Sequence, residues 1–214
     1  MTITHHPPDE LLLEYAAGAS DEAAALVLAT HLALCPLCRR TVAEAEAVGG
    51  SLLEDSSEFS LSPQAMKAVL SRLDEPVGMA PPPVKRSPSN VPEPLRSYVG
   101  GDLNAVPWRK IAGGISYRPL FRRGAARAYL LRSTPGTGVG LHTHHGEELT
   151  LCLSGGYTDE TGSYARGDMQ WTTPEILHQP VADAGEDCIV VAMSTARLKF
   201  SNPLVAVIGR WFGF

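Results

Sequence analysis

Two separate sets of metal-ligating residues constrain this chain more than anything else in it. Near the start, His31-Leu-Ala-Leu-Cys35-Pro-Leu-Cys38 spaces one imidazole and two thiols as H-x3-C-x2-C, with His5 and His6 upstream. Far downstream, His142-Thr-His144-His145-Gly-Glu147-Glu148 is followed by a separate Pro174-x3-His178. The first set is sulfur-rich and needs one more protein ligand to close, as a structural zinc ion requires. The second offers only nitrogen and oxygen, which suits a metal that keeps open positions. One site of each kind suggests that one domain holds something and the other senses something.

The sulfur-containing set lies in an Ala- and Leu-rich region that reads as helices. Asp9 is placed to cap a helix through Leu12, Leu13 and Ala16, and Gly18 is a natural stop. Ser20 and Asp21 stand where a second helix needs a cap, and Ala24, Leu28, His31 and Leu32 follow at helical spacing. A third helix is expected to begin at Cys35-Pro36, since Pro is tolerated at the first position, and to end near Gly49-Gly50. Ser62-Pro63 opens a fourth, through Met66, Val69, Leu70 and Leu73. On a helix, His31 and Cys35 fall on one face a turn apart, and the C-x2-C spacing lets both thiolates bind one ion. His6 is the preferred fourth ligand, with His5 an open alternative. Zinc there would cross-link short helices whose own core is small. A redox Cys-x-x-Cys pair would sit beside a βαβ pattern, and none is present.

Residues 76–94 contain seven prolines, the composition of a semi-extended linker. From Leu95 onward, short β-type runs at 128–132, 148–153, 168–172 and 188–193 alternate with Gly and Pro clusters, as in a sandwich or barrel. The expected layout is a helical domain over 1–75, a linker over 76–94, a β domain over 95–196 and a tail over 197–214 that packs on the barrel or a partner. Strand alternation puts His142 and His144 on one side, pointing into the barrel. Glu148 opens the following strand on the same inward parity as Thr150 and Cys152. His145 and Glu147 fall on the other side.

The net charge of -5 is unevenly spread. Residues 1–75 hold 12 acidic against 4 basic side chains, a net of -8. Such a surface is ill suited to phosphate contacts, so direct nucleic-acid binding is not expected, whereas a basic protein partner is. Four cysteines without a visible secretory signal argue against a disulfide framework and for the cytoplasm. No apolar run is long enough to span a membrane. Cys152 and Cys188 sit among apolar neighbours and read as small buried hydrophobes.

His6 with His31-x3-Cys35-x2-Cys38, between Ala/Leu-rich helices, resembles the zinc-binding anti-sigma domain, and in particular the ChrR-type anti-sigma factors. Gly136-x5-His142-x-His144-x3-Glu148-x6-Gly155 resembles the first cupin motif; the second, Gly167-x6-Pro174-x3-His178, departs from the usual pattern in its Gly-to-Pro spacing. The resemblance implies a zinc-bound helical bundle joined to a cupin β-barrel. It implies that the helical domain sequesters an extracytoplasmic-function sigma factor and that the cupin governs release on a singlet-oxygen or organic-peroxide signal. Zinc at His6, His31, Cys35 and Cys38, and zinc or another divalent transition metal at His142, His144, Glu148 and His178, follow from it. The competing reading is a cupin metalloenzyme, a dioxygenase or hydrolase, in which Arg127, Arg132 and Tyr157 would anchor substrate.

Overall fold

The computed structural model describes residues 2–73 and 89–202. Four helices come first: α1 (Asp9–Ala16), α2 (Glu22–Leu34), α3 (Pro36–Glu54) and α4 (Ala65–Leu73). Pro8 rather than Asp9 is the residue before α1; Asp9 stands in the first turn, where its charge opposes the helix dipole favourably. Gly18, at φ +68°, supplies the left-handed turn that stops α1. Of the two expected caps of α2, Asp21 serves, its carboxylate accepting the amides of Ala23 and Ala24 at 2.8 and 3.0 Å. Pro36 starts α3, which does not end at Gly49-Gly50 but continues to Glu54. Neither glycine has positive φ, so nothing in the backbone forces a stop there.

A 3-10 turn (Glu93–Leu95) and a short helix α5 (Arg96–Val99) lead into eleven strands. These are β1 (Arg109–Ala112), β2 (Ile115–Arg123), β3 (Ala126–Ser133), β4 (His142–His144), β5 (Glu148–Ser154) and β6 (Gly156–Asp159). They continue as β7 (Gly162–Ala165), β8 (Met169–Thr172), β9 (Val181–Ala182), β10 (Cys188–Ser194) and β11 (Leu198–Phe200). A six-stranded sheet in the order β1-β2-β3-β10-β5-β8 is completed by β7-β6-β9 and by β11-β4. Residues from all three sheets line one interior cavity of about 350 Å³.

The large sheet is covered on both faces. Tyr129, Leu131, Thr150, Val190 and Ala192 face the cavity, while Leu130, Leu151, Val191 and Met193 belong to the core that contains α2. This is why the run Cys188–Met193 is apolar throughout instead of alternating. Helix α2 explains the other side: its buried residues include Ala23, Leu26, Val27, Leu28, His31 and Leu32, spread around most of the cylinder. It lies between α1 and α3 and the strands β3, β5 and β10. The helical part and the barrel therefore share one core.

Part of the expected linker joins that core. Val91 is buried and so is Leu95 just beyond it, and the Glu93–Leu95 turn packs on α2. The prolines at 92 and 94 hold these two apolar side chains in a tight turn, where an open tether was expected. The rest of that stretch, 76–88, lies outside the described residues, as does the expected tail packing from 203 onward. No single helix among the described residues is long and apolar enough to cross a membrane.

Leu28, fully buried in this shared core, tests the arrangement. Leu28→Ala is expected to lower the unfolding free energy by about 2–5 kcal/mol in urea melts. Helical and near-ultraviolet signals should still melt together, and two separated transitions would show that the halves fold independently.

Candidate metal centres

The N-terminal arm, the end of α2 and the start of α3 converge on the first centre. The last turn of α2 presents His31, and Cys35 ends that helix and caps the next, its Sγ accepting the Cys38 amide at 3.5 Å. His6 arrives from the arm, its Nδ1 lying 3.4 Å from both Cys35 Sγ and Cys38 Sγ. His31 Nε2 lies 3.3 Å from Cys38 Sγ. A tetrahedral ion bonded at about 2.3 Å to sulfur and about 2.0 Å to nitrogen would set N-to-S edges of about 3.5 Å. The four donors thus already stand near the separations such an ion needs, all within 4.8 Å of one another. His5 does not join them: its ring packs on Tyr164, with centroids 4.5 Å apart.

Protonation at this centre points the same way. His31 Nδ1 donates to the carbonyl of Gly167 at 2.9 Å, which leaves Nε2 with a free lone pair facing the thiols. Burial drives the His31 pKa down to about 4, keeping the ring neutral as a ligand must be. Burial, with the adjacent Cys35, pushes the Cys38 thiol up to about 12. Two thiolates this close are unfavourable without a cation, and a bound divalent ion would displace their protons.

In the second centre, β4 presents His142 and His144 on one face, and Glu148 comes from the first position of β5. His178 is brought opposite by a bridge with His142, each amide donating to the other's carbonyl at 3.0 Å. All four are buried and their ligand atoms lie within 4.8 Å of one another. His144 Nε2 is 3.1 Å from His178 Nε2 and 3.7 Å from Glu148 Oε2. His142 Nδ1 donates to Gly140 O at 2.8 Å and His178 Nδ1 to Asp159 Oδ2 at 2.7 Å, so both rings turn Nε2 inward. Tyr129 Oη hydrogen-bonds Glu148 Oε1. Burial lowers the pKa of His142 and His144 to about 4. Three buried imidazoles and the Glu148 carboxyl group, oriented by these bonds, form a donor set that fits a divalent transition metal.

His145 and Glu147 are exposed beside this centre, as strand alternation required. Of the side chains considered as substrate anchors, Tyr157 lines the cavity, its hydroxyl donating to Gln170 Oε1 at 3.1 Å. Arg127 instead binds Ser194 and Ala196, and Arg132 binds Asp187. Cys152 and Cys188 are buried together; the Cys188 hydrogen bond and burial push the Cys152 thiol far up, away from thiolate reactivity. Sequence reasoning missed Tyr129, Asp159 and the carbonyls of Gly140 and Gly167. Tyr129 lay within a strand that alternation could orient only relative to Leu131. Asp159 reaches His178 from the end of β6, a proximity with no local signature.

Residues 97–196 match the family model described as the ChrR cupin-like domain. Over 212 residues the chain is 42% identical to the anti-sigma-E factor ChrR of Cereibacter sphaeroides, covering 99% of both chains. The structure is similar to ChrR in the crystal structure of Rhodobacter sphaeroides SigE in complex with that anti-sigma factor. There the TM-score is 0.80 at 41% identity, covering 90% of this chain and 99% of that one. With that identity along essentially its whole length, the chain belongs to the ChrR family.

Proposed function

We propose that this chain is an anti-sigma factor: its helical part sequesters an extracytoplasmic-function sigma factor, and its barrel governs release. The observation that carries the reading is a succession of uncovered apolar side chains along the far end of α3, the loop after it, and α4. Leu53 is 74% exposed, Phe59 91% and Leu61 80%, and Val48, Leu52, Met66, Val69, Leu70 and Leu73 are exposed with them. Helix α4 buries none of its own residues. Large apolar surface of this kind marks a protein interface. An amphipathic helix laid into a partner's groove is a common way to use it. The net charge of -8 over residues 1–75 suits a basic partner. The names of the relatives support the same class of partner, an anti-sigma factor bound to its sigma factor, and favour a regulator over an enzyme.

Holding the partner falls to residues 1–75 and sensing to 95–196, in the cytoplasm, where transcription is controlled. His6, His31, Cys35 and Cys38 would hold zinc, which ties the N-terminal arm to α2 and α3. His142, His144, Glu148 and His178 would hold zinc or another divalent transition metal, which would supply Lewis-acid or redox chemistry at the cavity wall. Asp159 and Gly140 fix two of those imidazoles, and Tyr129 fixes the carboxylate. The signal is of the oxidative type, singlet oxygen or an organic peroxide, and the cavity gives a small oxidant a way to the barrel centre.

Elemental analysis with native mass spectrometry is expected to find metal at both centres, Cys38→Ser losing the zinc and His142→Ala with His144→Ala losing the barrel ion. Either double-cysteine occupancy without zinc or a metal-free barrel would remove that half of the reading. Full-length protein should retain a sigma factor from host lysate and inhibit transcription by it. Phe59→Asp with Leu70→Asp should weaken that binding roughly tenfold or more without changing metal content. Unchanged binding would mean that the exposed face is not the interface. The barrel double variant should still form the complex, but sigma-dependent transcription should no longer rise when oxidant is added.

A further inference from the structure

Four residues of the barrel, 167–170, touch the surroundings of both metal centres. Gly167 O accepts His31 Nδ1 at 2.9 Å. The buried Asp168 carboxylate holds the arm that carries His6. Its Oδ1 accepts the amides of Thr4 and His5 at 2.7 and 2.9 Å and the Thr4 hydroxyl at 3.3 Å, while Oδ2 accepts the Ala165 amide at 2.9 Å. The Met169 amide then donates to His5 O at 3.1 Å. Ile3 lies so close over Gly167 (φ +96°) that a Cβ there would meet it at 2.7 Å. The arm is therefore fastened to the barrel through residues 3–5, and His6 follows directly.

The same segment reaches the other centre. Gln170 Nε2 donates to Asp159 Oδ2 at 2.7 Å, and that oxygen also accepts His178 Nδ1 at 2.7 Å. Gln170 Oε1 accepts from Tyr157, which lines the cavity. A path of hydrogen bonds thus runs from His178 through Asp159 and Gln170 to the start of β8, and from there through His5 to His6. A parallel contact runs from Gly167 to His31. The segment is tied down from behind as well, since Gly167 N and Asp168 O bond the Cys152 backbone at 2.9 and 3.1 Å.

We propose that Asp168 positions the His6 arm for the helical metal site, and that residues 167–170 couple the zinc affinity of that site to occupancy of the barrel site. The inference rests on the reading of both centres as metal sites. When the barrel centre is filled, His178 is fixed and Asp159 with it, so Gln170 and the first residues of β8 hold one position. Emptying that centre frees His178, and the loosened segment holds the arm less well. By linkage, zinc on the helices must in turn tighten metal in the barrel by the same factor.

The test is the zinc affinity of the helical site in full-length protein, by equilibrium competition with a chromophoric chelator. It compares wild type, the barrel-emptying pair His142→Ala and His144→Ala, Asp168→Asn, and all three changes together. An amide at 168 keeps one acceptor but turns an NH2 toward a backbone donor, so the arm or Ala165 loses its partner. Emptying the barrel is expected to lower affinity about fivefold or more when Asp168 is present, and by less than about twofold in the Asp168→Asn background. A general structural loss at Asp168 would lower affinity without removing the dependence on barrel occupancy. A metal-loaded wild-type barrel whose emptying leaves helical zinc affinity unchanged overturns the coupling alone. An undiminished drop in the Asp168→Asn background overturns the assigned route. A wild-type barrel that takes up no metal overturns the metal reading together with the coupling. If Asp168→Asn fails to fold, Thr4→Pro, which removes an arm amide and leaves the barrel sequence intact, carries the same comparison.

Discussion

Helix α2 is apolar on every side, and the rest of the structure is arranged around that fact. A helix of this kind cannot lie on a surface, because each Leu or Val left in water forgoes about 1.5–3 kcal/mol. Here one side is covered by α1 and α3 and the other by the outer face of the six-stranded sheet. The six-stranded sheet is largely apolar on both faces: one meets α2, and the other walls the cavity, where Glu148, Thr150 and Gln170 interrupt it. His31 projects from the last turn of α2, so the helical centre stands at the seam between the two parts, within hydrogen-bonding reach of the barrel.

Both centres use burial to solve one problem in two ways. An imidazole can bind a metal only when neutral, and loss of solvation holds His31, His142 and His144 in that form well below neutrality. The anionic donors differ. The helical centre pairs two thiols with two imidazoles, a sulfur-rich set of four that would suit a structural zinc. The barrel centre uses one carboxylate, braced by Tyr129, and opens onto a cavity. The two centres thus differ in donor chemistry and in access to the cavity.

Much of this was legible in the sequence because ligand spacing reports local geometry. His31 and Cys35 one helical turn apart, and His142 and His144 two residues apart on a strand, could be placed without any long-range contact. The same parity put His145 and Glu147 on the other side, where both side chains are exposed. What failed to show was anything created by packing. Gly49-Gly50 looked like a helix end, yet nothing in α3 requires positive φ there, and the helix runs on. The prolines at 92 and 94 looked like open tether, but Val91 and Leu95, on either side of them, are buried, and the turn they flank packs on α2. Asp159, Asp168 and Tyr129 act through partners far along the chain, so only the assembled fold reveals them.

The uncovered apolar face has a consequence for how the cell must keep this protein. Side chains such as Phe59 and Leu61 left in water invite self-association, and they resemble the surfaces that chaperones and proteases recognise. A copy whose face stays uncovered therefore carries a standing tendency to associate. Whatever covers this face would stabilise the chain as well as bind it, because a ligand of the folded state alone shifts the folding equilibrium by mass action.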